Sequence, residues 1–221
     1  MSLPPATPGQ SGASPYRAGF QLGPFRAKNE YYPTPASATR AFLAAHRFNG
    51  GVWEPACGEG WLSRQLLAAQ YDTVSTDIAD YGYGTAGVDF LDQRLPRAKN
   101  ICTNPPYGRG LADAFVRKAL WFIDRTGGEA AMLLNIASLC HPSRHESFVR
   151  RPPAILYLLD HCVCYPNGKP EHATRHTAQH KYAWAVWTAA STTQCLTRWL
   201  STRPYEDVAS ITSTFNQRRS S

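Results

Sequence analysis

Between residues 51 and 187, short apolar runs of strand composition alternate with segments whose apolar residues recur at helical spacing. That alternation restricts the fold more than any other feature of the chain. Gly51 to Glu54 is a short strand, and Trp61 to Gln70 follows with Trp61, Leu62, Leu66 and Leu67 at helical intervals. Asp72 to Asp77, Gly87 to Phe90 and Asn100 to Thr103 read as three further strands. Leu111 to Ile123 is an amphipathic helix with Leu111, Phe115, Ala119 and Phe122 on one face. Glu129 to Asn135 is nearly continuous in apolar character, as a central strand buried on both faces should be. His141 to Val149 suggests a short helix, and Ala154 to Leu159 and Lys181 to Trp187 two more strands. The pattern predicts a Rossmann-like, doubly wound α/β sheet, which takes its ligands beyond the carboxyl ends of its strands.

The 221 residues suffice for one domain with a covered core, expected over residues 27–200. Residues 1–26 hold Pro4, Pro5, Pro8, Pro15 and Pro24 among small residues, the composition of a flexible arm, and 201–221 is a polar tail ending in Arg218 and Arg219. No apolar run approaches the roughly eighteen residues that span a bilayer, and no charged start precedes an apolar core at the N-terminus. A cytoplasmic location is therefore expected. Cys57, Cys102, Cys140, Cys162, Cys164 and Cys195 are scattered rather than framed, which fits reduced thiols. A net charge of +7 favours a polyanionic partner.

The segment Glu54-Pro55-Ala56-Cys57-Gly58-Glu59-Gly60 has the form of a strand, a glycine turn and a helix start. Gly58 and Gly60 lack a Cβ, so backbone can pass close to a ligand there. Glu54, ending its strand, can receive an ammonium group. Asp77 ends the next strand nineteen residues after Gly58, a spacing that suits a carboxylate accepting from two ribose hydroxyls. Asp89 and Phe90 follow, to accept from an adenine amino group and to pack on its ring. The third glycine of a dinucleotide fingerprint is absent, which weakens a nicotinamide reading. Upstream, Tyr32, Pro33, Thr34 and Pro35 precede an apolar helix that Thr34 or Ser37 could cap. Its N-terminus could also receive a carboxylate, and spacing does not separate that from a plain proline-fixed start.

Asn104-Pro105-Pro106-Tyr107 leaves the fourth strand directly. An exocyclic amino group on a nucleobase is a poor nucleophile, because its lone pair is delocalised into the ring. Two acceptors placed on its protons favour the tetrahedral nitrogen needed for attack and strengthen as positive charge develops. The Asn104 side-chain oxygen and the Pro105 carbonyl suit that task, Pro105 and Pro106 stiffen the loop, and Tyr107 offers a face for stacking, worth roughly 1–3 kcal/mol per base. A duplex substrate must extrude its base to reach such a pocket.

These residues resemble the class I S-adenosylmethionine-dependent amino-methyltransferases of nucleic acids, particularly phage-type and bacterial DNA adenine-N6 methyltransferases. The resemblance covers about residues 29 to 190 and is carried by Glu54 to Gly60, Asn104 to Tyr107, Tyr32 to Pro35, Asp77 and Asp89. It implies S-adenosyl-L-methionine as cofactor, held by Tyr32, Thr34, Pro35, Glu54, Ala56, Gly58, Gly60, Asp77, Asp89, Phe90 and Asn104. It implies Asn104, Pro105, Pro106 and Tyr107 as the catalytic group, and DNA as partner. The implied sheet is mixed and seven-stranded, its last two strands Ala154 to Leu159 and Lys181 to Trp187, one of them inserted antiparallel. Only about thirty residues follow Trp187, too few for a separate recognition domain, so sequence selectivity is expected to be weak or supplied by a partner.

The insertion 161–181, with Tyr165, Lys169, Arg175 and Lys181, is the remaining candidate for substrate contact. Its His161, Cys162, Cys164, His172, His176 and His180 do not follow a zinc spacing, and no metal is expected. RNA bases or a glutamine side-chain amide would suit the same acceptor chemistry. A non-catalytic nucleic-acid binder on the same scaffold is the reading of another class, against which the presence of Glu54, Asp77 and Asn104 counts.

Overall fold

The computed structural model describes residues 30–140, 142–172, 180–190 and 192–206. The arm of residues 1–26 lies outside them, as do 173–179 of the insertion and the tail from residue 207. Seven strands form one sheet: β1 (Val52–Glu54), β2 (Thr73–Ser75), β3 (Asn100–Thr103), β4 (Glu129–Asn135), β5 (Ile155–Leu159), β6 (Tyr182–Thr188) and β7 (Leu196–Leu200). Their order is β2-β1-β3-β4-β6-β5-β7. All neighbouring pairs are parallel except those of β6, which runs antiparallel between β4 and β5. The inserted antiparallel strand agrees with expectation. The expected strand over Gly87 to Phe90 does not form.

That stretch is instead a left-handed glycine (φ +75° at Gly87) followed by a single 3-10 turn over Phe90–Asp92. The Asp89 side chain accepts from Leu91 N at 2.9 Å, a local alternative to ladder pairing. The only trace of pairing beyond β2 among the described residues is an isolated bridge, Thr76 to Thr85. The seventh strand is β7, which extends the other edge of the sheet and is exposed along most of its length. Ser201 and Thr202, at the start of the stretch read as a tail, are tied to the Asp160 carboxylate, and Thr202 is fully buried.

Side chains alternate across the pleat and divide the interior into two clusters. On one face Val52, Cys102, Ala131, Leu133, Trp184 and Val186 meet Phe42, Leu62 and Leu66 of the helices α1 (Ala36–Ala45) and α2 (Trp61–Ala68). On the other, Trp53, Ile101, Met132, Leu134 and Trp187 meet Phe115, Ala119 and Phe122 of α3 (Leu111–Thr126), with Phe90 among them. The short helices α4 (Ile136–Leu139) and α5 (His145–Arg150) follow β4, where one helix over 141–149 was expected. Trp61 and Leu67, read as part of the inner face of α2, are about half exposed. Helix α1 starts at Pro35 with no side-chain cap, so neither Thr34 nor Ser37 fills that role.

The register of the three central parallel strands is pinned at their amino ends by one buried amide. Asn100 Nδ2 donates to Asn49 O at 3.0 Å and to Gly51 O at 3.1 Å, and its Oδ1 accepts from Glu129 N at 3.0 Å. Asn100→Ala leaves these buried groups unpaired and should cost at least about 2 kcal/mol in urea unfolding. Asn100→Asp should do no better, because a carboxylate oxygen then faces two carbonyls; wild-type stability in either variant would contradict this role.

Candidate active site

Register turns the sheet into a site. Val52 pairs with Asn100 and Trp53 with Ile101, so Glu54, the last residue of β1, and Asn104, the first beyond β3, leave the sheet at its carboxyl edge as neighbours. Asp77 lies just past β2 at the same edge. Between them lies a cleft of about 690 Å³, open to solvent, lined by Tyr32, Thr34, Glu54, Ala56, Asp77, Asp89, Phe90, Asn104 and Pro106 among the residues singled out from sequence. Pro35, Gly58, Gly60, Pro105 and Tyr107 do not line it. Tyr31, Trp61, Ile78, Tyr81, Val88 and Phe115 do, and no motif pointed to them.

The two acids are buried and differently held. Glu54 is 2% exposed; Ser63 Oγ donates to its Oε2, and Ser63 lies 2.6 Å from Ser75 Oγ. Among the described residues no basic side chain pairs with Glu54. Burial therefore pushes its carboxyl well above the usual carboxylate range, against the opposing pull of the Ser63 hydrogen bonds. Asp77 is also raised by burial, but less is needed to hold its charge: Gly58 N donates to Oδ2 and Ala79 N to Oδ1, both at 2.9 Å. The Cys57 thiol beside them is pushed up to about 12 by burial and by the Glu54 and Asp77 carboxylates.

The glycine turn makes room for two tyrosine rings of the chain itself. Gly58 and Gly60 both have left-handed φ, +51° and +82°. A Cβ on Gly58 would stand 2.3 Å from the Tyr31 ring, and one on Gly60 2.5 Å from Tyr83. Tyr31 stacks on Tyr81 with centroids 4.6 Å apart, and Arg64 lies over Tyr83 at 4.8 Å. The sequence reading had a ligand, not a side chain, in the space these glycines leave.

On the acceptor side, Asn104 Nδ2 donates to Tyr32 O at 2.7 Å. Tyr107 OH lies 2.8 Å from Asn104 Oδ1 and 2.7 Å from Leu133 O. The Tyr107 ring packs inward against both core clusters, and burial holds its hydroxyl well above the usual phenol range. Phe90 is likewise a core residue, enclosed by Trp53, Phe115 and Phe122, with only its edge available to the cleft. The insertion reaches the site: Asn167 N donates to Tyr31 O at 3.0 Å, and Tyr165 and Gly168 flank a second groove against Pro33, Pro35 and Trp61. Within it Cys162 and Cys164 are buried with their sulfurs 3.9 Å apart. Arg144, also buried, pairs with Asp113 and donates to Ser138 O at 2.7 Å, which ties the segment after β4 to the start of α3.

No protein-family model and no curated protein matches the sequence. Solved structures do match the backbone. The M protein of the type I restriction enzyme EcoKI superposes with a TM-score of 0.52 at 15% identity, over 72% of this chain and 44% of that one. The fold is that of the class I methyltransferases. The methyltransferase subunit of a type I restriction-modification system from Streptococcus thermophilus gives 0.49 at 13% identity, over 73% and 45% of the two chains. A TehB-like SAM-dependent methyltransferase from Corynebacterium glutamicum gives 0.44 at 16% identity, over 70% and 87%. The chain spans less than half the length of the two restriction-system proteins. In the methyltransferase fold of this chain, the cleft sits at the switch between β1 and β3, where the strand order reverses.

The hydroxyl that supports Glu54 makes a direct test of this geometry. Ser63→Ala leaves a fully buried carboxyl short of a partner and should lower stability by about 1–3 kcal/mol in chemical denaturation. If Ser63→Ala unfolds like the wild type, the contact is not part of the site's architecture.

Proposed function

We propose that this chain transfers a methyl group from S-adenosyl-L-methionine to an exocyclic amino nitrogen of a nucleic-acid base, adenine in DNA before others. The observation that carries the reading is the shared cleft: Glu54 and Asp77 line it together with Asn104 and Pro106. The residues fit the cofactor on grounds visible in the fold. Glu54 is a buried acid lacking a cation, and an ammonium is the group that would restore its charge. Thr34 Oγ1, buried in the cleft wall, has no hydrogen-bond partner among the described residues, and the start of α1 beside it carries no side-chain cap. A carboxylate would satisfy both. Asp77 would accept from ribose hydroxyls, and Asp89 and the edge of Phe90 would meet the adenine ring. When bound, the cofactor supplies an electrophilic methyl on a sulfonium.

The chain's own contribution is to hold the acceptor nitrogen and to keep other nucleophiles quiet. Asn104 Oδ1 and the Pro105 carbonyl would take the two amino protons and stabilise the charge that grows on nitrogen. Cys57, held as a thiol near the cleft, does not compete for the methyl, and neither Cys57 nor Tyr107 is ionised to act as a base. The proton leaves to water once the nitrogen is quaternised. A net charge of +7 suits a phosphate backbone, and residues 161–181, which pack against Tyr31 and Pro33, would contact it or the flanking bases.

Two measurements test this. Purified protein, labelled cofactor and parallel DNA, RNA and glutamine-peptide acceptors, followed by mass spectrometry of digests, should yield N6-methyladenine from DNA. Asn104→Ala should lower that rate about 10²–10³-fold while cofactor binding persists; an unaffected rate removes the mechanism, and label only in RNA or peptide reassigns the acceptor. The second concerns pH. Glu54 is raised in the free protein and must ionise to meet an ammonium, so binding releases a proton. Affinity should therefore rise with pH toward the α-amino range of about 7.7–8.0. Calorimetry in buffers of different ionisation heat should detect the released proton, and Glu54→Gln should remove both the slope and the release.

A further inference from the structure

We propose that Tyr107 is a positioning residue that locks the Asn104 amide in one orientation, and that it does not form the stacking platform for the acceptor base. The inference rests on the proposed methyl transfer and assigns the fourth residue of the catalytic tetrapeptide a different task from the one its sequence suggests. A planar base needs an exposed ring face. The Tyr107 ring is absent from the cleft wall and is packed against both core clusters, with the Tyr182 ring 6.3 Å away at a tilt of 57°. Its hydroxyl points at the one side chain whose orientation the acceptor chemistry depends on.

An asparagine amide has two faces of nearly equal shape and opposite polarity: Oδ1 accepts and Nδ2 donates. Only Oδ1 can meet an incoming amino group, so a 180° flip makes the residue inert. Tyr32 O is an acceptor alone and must face Nδ2, which it meets at 2.7 Å. Tyr107 OH then meets Oδ1 from the other side at 2.8 Å. The two contacts together fix the rotamer and the flip. An sp² oxygen has a second lone pair, which is left for the acceptor's amino proton. The Tyr107 hydroxyl carries one proton for two acceptors in reach, Asn104 Oδ1 and Leu133 O at 2.7 Å. Leu133 lies in the middle of the central strand β4, so the hydroxyl ties the catalytic loop to the most rigid part of the sheet. Burial keeps the phenol protonated, so this donor persists across the working pH range.

Steady-state methyl transfer by Tyr107→Phe and Tyr107→Leu separates the two roles. Phe keeps the ring and removes the hydroxyl. Positioning predicts that kcat falls about tenfold in Tyr107→Phe with the acceptor KM unchanged, and that Leu loses no less. Stacking predicts a wild-type kcat for Phe and a raised acceptor KM for Leu, and that pattern overturns the proposal. A crystal structure of Tyr107→Phe provides a readout independent of turnover. The Asn104 side chain should occupy more than one orientation there, and a single unchanged orientation overturns the proposal whether or not any acceptor is methylated. Failure of the wild type to methylate any acceptor would count against the proposed function, with the orientation of Asn104 still deciding the role of Tyr107.

Discussion

The side-by-side parallel pairing of β1, β3 and β4 is the constraint from which the site follows. In parallel strands the carboxyl ends fall on one edge, and the register decides which residues leave the sheet at the same height. Asn100 fixes that register with hydrogen bonds to the segment before β1 and to the start of β4, at the edge opposite the cleft. A slip of one residue would send Trp53 and Val52 to the wrong faces and separate Glu54 from Asn104. The bulky packing on both faces, with Trp184 stacked on Phe42 at 4.6 Å and Trp187 beside Phe148, opposes such a slip. The antiparallel β6 then closes the sheet with seven paired positions along β4.

The cleft is expensive in its free form. Glu54 and Asp77 are both buried, and burial disfavours the charge of each. Asp77 offsets the cost with backbone donors, whereas Glu54 has a serine network and no cation. A hydroxyl without a partner at Thr34 adds to the unmet demand. Polar groups left so arranged are a pre-organised receptor: a zwitterionic ligand would satisfy at once what the chain leaves unpaired. The same logic extends to Asn104, whose amide is held by Tyr32 and Tyr107 before any acceptor arrives.

Much of the scaffold was legible because its signals are strong and local. The apolar run of β4, the amphipathic face of α3 and the β-branched and aromatic composition of β6 each correspond to an observed element within a residue or two. Gly87 to Phe90 misled because an apolar pair resembles a strand, while the left-handed Gly87 and the Asp89 cap turn the chain before it can pair. Strand β7 was missed because Leu196 to Leu200 is exposed on both faces and shows no alternation to read. At the site, linear motifs located Glu54, Asp77 and Asn104 at one edge. They could not show that the rings of Tyr31 and Tyr83 sit over the glycine turn, nor that Tyr107 faces inward, since both depend on contacts between residues distant in sequence.

The central claim is that donor and acceptor chemistry share one cleft at the carboxyl edge of β1 and β3. A crystal structure of the protein with S-adenosylhomocysteine tests it most directly. The account predicts the amino acid end of the ligand between Glu54 and Thr34, its ribose at Asp77, and its sulfur on the side of Asn104. A ligand bound elsewhere on the molecule, or a cleft that stays closed by Tyr31 at saturating ligand, would contradict it.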